Sequence, residues 1–260
     1  MSKFQDKLGY VRSLIITAPL IFLYTGVMGT ISLIGSLVDS NGRIQHACAR
    51  FWSRLILWTS GVRLKVSGLE NLKPGQTYVL CANHQSHMDI PIVLLALPFQ
   101  FRFASKKEWF GVPFLGWHLR RSGHVSIDRE NPRAAIASLR KAAETIRGGM
   151  PVLIFPEGGT SRDGTIKGFK GGGFMMATRS GASAVPITIT GSRRILVPKT
   201  YYVHSGVVEV KIGVPVRPEG LSNSDLAKRV RDDIVAAFYG SSETNEEAVY
   251  RNSDPISREI

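Results

Sequence analysis

His84 and Asp89 stand five residues apart in the stretch Leu80-Cys81-Ala82-Asn83-His84-Gln85-Ser86-His87-Met88-Asp89-Ile90, directly after a strand-like apolar run. An imidazole beside a carboxylate can act as a general base whose tautomer the carboxylate sets. Five residues of continuous helix turn about 500°, which leaves two side chains about 140° apart. The pair can therefore meet only if His84 lies in a loop and Asp89 on the helix that follows. The flanking residues predict that arrangement: Thr77 to Ala82 reads as a strand, Ser86 as a helix N-cap, and Met88 to Leu97 as an apolar helical run. The competing reading is a buried histidine at a strand end with an unrelated aspartate favoured by the helix dipole. His87 reads as a helix-start residue; no further ligand cluster accompanies it, so no metal is expected.

Two other stretches carry groups suited to an anion. Phe155-Pro156-Glu157-Gly158-Gly159-Thr160-Ser161-Arg162-Asp163-Gly164 follows an apolar run. Its glycines and hydroxyl residues can bring backbone amides near an anion, and Arg162 can donate to phosphate. The Walker order G-x-x-x-x-G-K-[ST] is absent, which speaks against an ATPase. Gly123-His124-Val125-Ser126-Ile127-Asp128-Arg129 ends another strand with an arginine. Plainer readings compete here too: a strand-to-helix connection and a solvated arginine.

The elements that must position these residues follow an α/β rhythm. Val62 to Val66, Thr77 to Ala82, Phe101 to Ser105, Gly123 to Ile127, Val152 to Phe155, Ala184 to Thr190 and Val207 to Ile212 read as strands. Helices between several of them predict parallel pairing, the clearest running from Asn131-Pro132 to about Arg147. Ser222 to Tyr239 reads as a late helix. The expected fold class is α/β, with a mixed, largely parallel central sheet flanked by helices.

Ahead of that domain, Lys3, Lys7 and Arg12 precede about 26 uncharged residues from Ser13 to Val38, enough to cross a bilayer. Pro19, Gly26, Gly29 and Gly35 punctuate the stretch and predict a kinked or partly embedded helix. Beyond Asp39, Arg43, Arg50 and Arg54 project within about 40° of one another, opposite Ile44, Cys48, Phe51, Trp52 and Leu55. That pattern predicts a helix lying in the headgroup region, the alternative being a helix packed on the soluble domain. The expected organisation is a two-helix membrane-docking unit over 1–60, the α/β domain over 61–240, and a polar, acidic, poorly ordered tail over 241–260. A formal net charge of +13 suits an anionic membrane surface or a phosphorylated substrate, and the apolar N-terminus favours these over nucleic acid. The two cysteines, Cys48 and Cys81, read as packing residues.

His84 with Asp89, then Arg129, then Glu157, then Val185-Pro186-Ile187 follow the order and approximate spacing of four sequence blocks. In these the chain resembles the glycerolipid acyltransferase superfamily, and bacterial 1-acyl-glycerol-3-phosphate acyltransferases in particular, from about Tyr10 to Tyr239. Lys106 and its neighbours Ala104-Ser105-Lys106-Lys107-Glu108, with Val112-Pro113-Phe114-Leu115-Gly116-Trp117, resemble the segment between the first two blocks. The resemblance implies acyl transfer from acyl-CoA or acyl carrier protein to lysophosphatidic acid, with no cofactor. His84 would be the base and Asp89 its orienting carboxylate, with no acyl-enzyme. Asn83, Lys106, Arg129, Glu157, Gly158 and Arg162 would bind substrate. Trp109, Phe110, Phe114 and Trp117 suit an acyl-chain channel or ordinary packing.

One departure concerns the acceptor. The family's third block reads E-G-T-R-S, whereas Thr160 stands here where that arginine falls, leaving Arg162 as its substitute. Another lysolipid or an amino-acid lipid is therefore an alternative acceptor, and a non-catalytic protein binding anionic lipid or acyl carrier protein is the alternative of another class. Cytoplasmic donors imply a catalytic domain on the cytoplasmic face of the cell's inner or cytoplasmic membrane.

Overall fold

Seven strands form one sheet in the computed structural model, which describes residues 9–198, 200 and 202–240. They are β1 (Val62–Ser67), β2 (Val79–Ala82), β3 (Arg102–Lys106), β4 (Val125–Ile127), β5 (Val152–Ile154), β6 (Ala184–Thr190) and β7 (Gly206–Ile212). All seven expected strands are present. Their order across the sheet is β1-β7-β6-β2-β5-β3-β4, parallel throughout except for the antiparallel β6–β7 pair. The central position of β2 puts the residues after it at the carboxyl end of the sheet, where crevices form in open α/β folds.

Alternate residues of β2 feed two cores, as the two-residue period of a strand requires. Leu80 and Ala82 join Ile187, Ile189 and Val210 on one face, covered by the helices α2 (Arg43–Thr59) and α3 (Asp89–Ala96) through Ile56, Leu57, Ile92 and Val93. Val79 and Cys81 join Val152 and Ile154 on the other face, where α6 (Pro132–Arg147), α7 (Met175–Ser180) and α9 (Asn223–Gly240) supply Leu139, Ile146, Met176, Leu226 and Val230. Each buried Val, Leu, Ile or Met among them contributes about 1.5–3 kcal/mol. The short helices α4 (Lys107–Gly111), α5 (Leu115–Arg121) and α8 (Ser192–Ile195) complete the set. Asn131 caps α6 through Oδ1, which accepts from the amides of Arg133 and Ala134, with Pro132 at the first helical position.

Helix α1 (Ala18–Gly35) continues a helical stretch from Gly9 that includes a π-helical turn over Ser13–Thr17. From Gly9 to Gly35 it is long and apolar enough to cross a membrane, and almost none of it is buried inside the protein. It packs on α2 and α5. Lys3 and Lys7, and the tail expected over 241–260, lie outside the described residues.

Two local expectations are corrected. Ser86 stands ahead of α3 and not at its cap position: its Oγ accepts the Met88 amide at 3.2 Å and donates to the Leu196 carbonyl, and the helix starts at Asp89 behind Met88. Arg50 does not face outward with Arg43 and Arg54. Its guanidinium donates to the Leu94 and Leu97 carbonyls at the end of α3, satisfying acceptors that the helix terminus leaves open. The exposed stripe of α2 instead mixes Arg43 and Arg54 with Ile44, Ala47, Phe51 and Trp58. Those six positions fall within about 100° of the helix circumference.

Gly68 follows β1 at φ +79°, and a Cβ there would stand 2.0 Å from the Ile212 carbonyl oxygen. Gly68→Ala is expected to destabilise the fold by more than about 1 kcal/mol, read as a lower denaturation midpoint in detergent.

Candidate active site

The chain leaves β2 at Ala82 and turns through Asn83 to Ser86 into α3, so the carboxylate of Asp89 points back at the loop that precedes it. Asp89 Oδ2 accepts from His84 Nδ1 at 2.8 Å, from the Gln85 amide at 2.7 Å and from the Ser86 amide at 2.9 Å. Asp89 is fully buried. Because an ionised carboxylate only accepts, Nδ1 of His84 carries the proton and Nε2 keeps its lone pair. The Phe155 ring stacks on the imidazole, centroids 4.1 Å apart at 19°, and fixes its plane.

The loop after β5 braces the same histidine from the other side. Glu157 accepts the His84 amide at 2.7 Å with one oxygen and the Lys167 amide at 3.0 Å with the other, and the Ser161 amide donates to the His84 carbonyl at 2.8 Å. Burial pushes the Glu157 carboxyl above the usual range, against the downward pull of those two amides.

A cavity of about 750 Å³ opens beside His84. That is within the roughly 300–1,000 Å³ of small-molecule sites. Its walls come from α1, α2, β3, the α4–α5 segment and the loop Gly158–Thr160, and they are mainly apolar. Lys106, Arg129 and Gly158, three of the expected binding residues, line it together with His84. Arg129 donates to the Gly158 carbonyl, and burial lowers its pKa. At Gly158, φ is +84°, and a Cβ there would lie 3.2 Å from Arg129 Nη1 and 3.3 Å from Lys170 Nζ. Two cations thus converge at a glycine whose conformation residues with a Cβ rarely adopt, a setting suited to phosphate.

Three expected binding residues are placed differently. Asn83 is fully buried and its amide is consumed by Ile189, donating to the carbonyl at 2.9 Å and accepting from the amide at 2.7 Å. Glu157 spends both oxygens on backbone amides. These two hold the loop's shape and are not among the groups that line the cavity. Arg162 is exposed and outside the cavity lining, while Thr160 lines it. Lys170 and Phe155 were not singled out from the sequence. Lys170 sits in a separate turn, and a phenylalanine ending a strand carries no signal that it will stack on a base. Among the described residues no group of three or more His, Cys, Asp or Glu could hold a metal.

The part of the cavity nearest α1 and α2 is lined by His46, His118 and His124. Burial lowers the pKa of all three, that of His46 to about 4 with help from Arg50 and Arg102. His124 Nδ1 accepts from the Phe103 amide at 2.9 Å, so its proton resides on Nε2. His118 Nδ1 meets Ser32 Oγ of α1 at 2.7 Å.

Over residues 63–190 the chain matches the family described as Acyltransferase. It is 31% identical to a 1-acyl-sn-glycerol-3-phosphate acyltransferase of Saccharomyces cerevisiae over 90% of this chain and 79% of that one. It is 36% identical to a chloroplast enzyme of that name from Arabidopsis thaliana over 59% of this chain, a region spanning 43% of the plant protein. The crystal structure of the 1-acyl-sn-glycerophosphate acyltransferase PlsC from Thermotoga maritima superposes with a TM-score of 0.74 at 26% identity, covering 93% of this chain and 98% of that one. The chain belongs to the glycerolipid acyltransferase family. Within that family, these three relatives are each named for acylating 1-acylglycerol 3-phosphate.

The three buried histidines carry a pH signature. Their folded pKa values lie below 6.5, so the unfolded chain binds more protons as the solution is acidified. The stability they contribute is complete above about pH 6.5 and is lost as the pH falls toward the folded values. The melting temperature in detergent is expected to drop between pH 6.5 and about 4, and His46→Gln is expected to flatten part of that drop.

Proposed function

We propose that the chain transfers a fatty acyl group from acyl-CoA or acyl carrier protein to the sn-2 hydroxyl of 1-acyl-glycerol 3-phosphate, giving phosphatidic acid. The observation that carries this reading is the 2.8 Å His84–Asp89 pair beside a largely apolar cavity whose rim holds Lys106 and Arg129. The apolar walls suit an acyl chain, and the cations at Gly158 suit the acceptor's phosphate.

His84 Nε2 takes the proton of the acceptor hydroxyl as its oxygen attacks the thioester carbonyl carbon. Asp89 stabilises the imidazolium that forms, as the carboxylate does in a serine hydrolase triad. The tetrahedral intermediate collapses: the new C–O ester bond stays, the C–S bond breaks, and the imidazolium returns the proton to the departing thiolate. The substrate's own hydroxyl is the nucleophile, so no acyl-enzyme forms. Glu157, Asn83 and Phe155 keep His84 in position.

The N-terminal unit, residues 1–60, docks the domain on an anionic membrane. Helix α1 is embedded, and the arginine and aromatic stripe of α2 lies among headgroups. The catalytic domain then faces the cytoplasm from the inner or cytoplasmic membrane, where thioester donors are available. Thr160 at the cavity wall, with Arg162 outside it, favours a second reading in which the acceptor is another lysolipid.

Purified protein in vesicles, supplied with each donor and a panel of lysolipids, tests both readings. Lysophosphatidic acid is expected to be the best acceptor. His84→Ala and Asp89→Asn are each expected to lower kcat by about 10²–10⁴-fold. Equal transfer by wild type and His84→Ala would remove the catalytic assignment.

A further inference from the structure

Helices α4 and α5 form a hairpin, Lys107–Arg121, that buries Phe110 and Leu119 and leaves its other large apolar side chains exposed. Trp109, Val112, Phe114, Leu115 and Trp117 are between 39% and 56% exposed. Five large apolar side chains exposed within nine positions form a patch of the kind that marks an interaction surface. The patch continues onto the exposed apolar side of α1, because α5 packs on α1 and His118 meets Ser32 across the seam.

The hairpin's tip is held out by its own backbone. Phe114 has φ +63° and ψ −61°, and the Leu115 amide donates to the Pro113 carbonyl at 2.7 Å. This is the rare, strained form of the γ-turn. A Cβ on Gly116 would meet the Phe110 carbonyl oxygen at 2.1 Å, so the two helices can cross there only at glycine, and Arg120 bonds that same carbonyl. Strain of this kind persists only where the surroundings over-determine it, and it gathers at functional sites. Here it projects Phe114 outward, its ring 5.5 Å from that of Trp117.

Basic side chains border the patch. Lys107, paired with Asp128, stands at one end, and exposed Arg121 stands at the other. Tryptophans with flanking cations suit the boundary between headgroups and acyl chains. Trp109, Phe114 and Leu115 also line the cavity beside His84, as do Thr25 and Met28 of α1.

We propose that the Lys107–Arg121 hairpin inserts into the same bilayer leaflet as α1, and that the seam between the two is the opening through which a lipid substrate enters the cavity sideways from the membrane. Insertion is independent of the acyltransferase reading; the entry route rests on it.

Full-length single-tryptophan variants retaining Trp109, Trp117 or Trp58, with the other tryptophans changed to phenylalanine, test insertion in phosphatidylcholine and phosphatidylglycerol vesicles carrying brominated acyl chains. Trp109 and Trp117 are expected to lose about half their fluorescence relative to unbrominated vesicles. Quenching of Trp58 alone would overturn the proposal, as would a hairpin shielded by a second copy of the chain. Such a copy would appear as unquenched tryptophans and a dimer in detergent that Trp117→Glu dissociates.

Val112 and Trp117 lie outside the cavity lining, so Val112→Glu with Trp117→Glu tests entry. Transfer to a long-chain lysolipid in vesicles is expected to fall about tenfold, while transfer to a short-chain, water-soluble lysophosphatidic acid stays at the wild-type rate. Equal loss on both acceptors would mean that the hairpin only stabilises the fold, and would overturn the entry route. Absence of transfer by the wild type would fail the acyltransferase reading while leaving the quenching result to decide insertion.

Discussion

A single carboxylate oxygen organises the centre of this molecule. Asp89 is wholly enclosed, and a buried negative charge is tolerable only with strong compensation. Its Oδ2 collects three N–H donors, two from the backbone of the preceding loop and one from His84, while Oδ1 has no partner among the described residues. Charge-assisted bonds of this kind are roughly twice as strong as neutral ones. They bend the loop around the start of α3, and that start is also the end of a helix where a negative charge is favoured. The same interaction that stabilises the turn leaves the imidazole with its basic nitrogen free.

Neighbouring elements serve that constraint more than they serve each other. Glu157 and Ser161 bind the backbone of His84 on either side of its Cα, so the loops after β2 and β5 fix one another. Asn83 ties the same loop to β6 through Ile189. Three strands adjacent in the sheet are thus stitched together at their carboxyl ends by side chains that never reach the cavity. A displacement of β5 or β6 would reach His84 directly.

The cavity lies between the domain and a helix with little contact to its core. Its inner surface carries three histidines whose pKa values burial lowers, beside the Arg102 guanidinium, in a space otherwise lined mainly by apolar groups. Arg129 and Lys170 converge at the glycine turn of Gly158, where the missing side chain leaves room for them. Apolar walls and a basic rim occupy one continuous space because α1, the α4–α5 segment and the Gly158 loop meet there.

Periodicity and turn residues determined the seven strands and their largely parallel pairing, since a two-residue alternation and a capped helix are local properties of the chain. The His84 and Asp89 pairing was legible too, because a spacing of five is incompatible with one helix but natural across a loop-to-helix junction. Only the tertiary structure decided which polar residues line the cavity and which bond within the protein. Asn83 and Glu157 were expected on substrate and Arg50 on the outer face, yet their partners, Ile189, the His84 amide and the end of α3, are remote in the chain. Hydrogen-bond partners at such separations depend on strand order. Strand order follows from how two hydrophobic faces are covered at once, which no local stretch of sequence specifies.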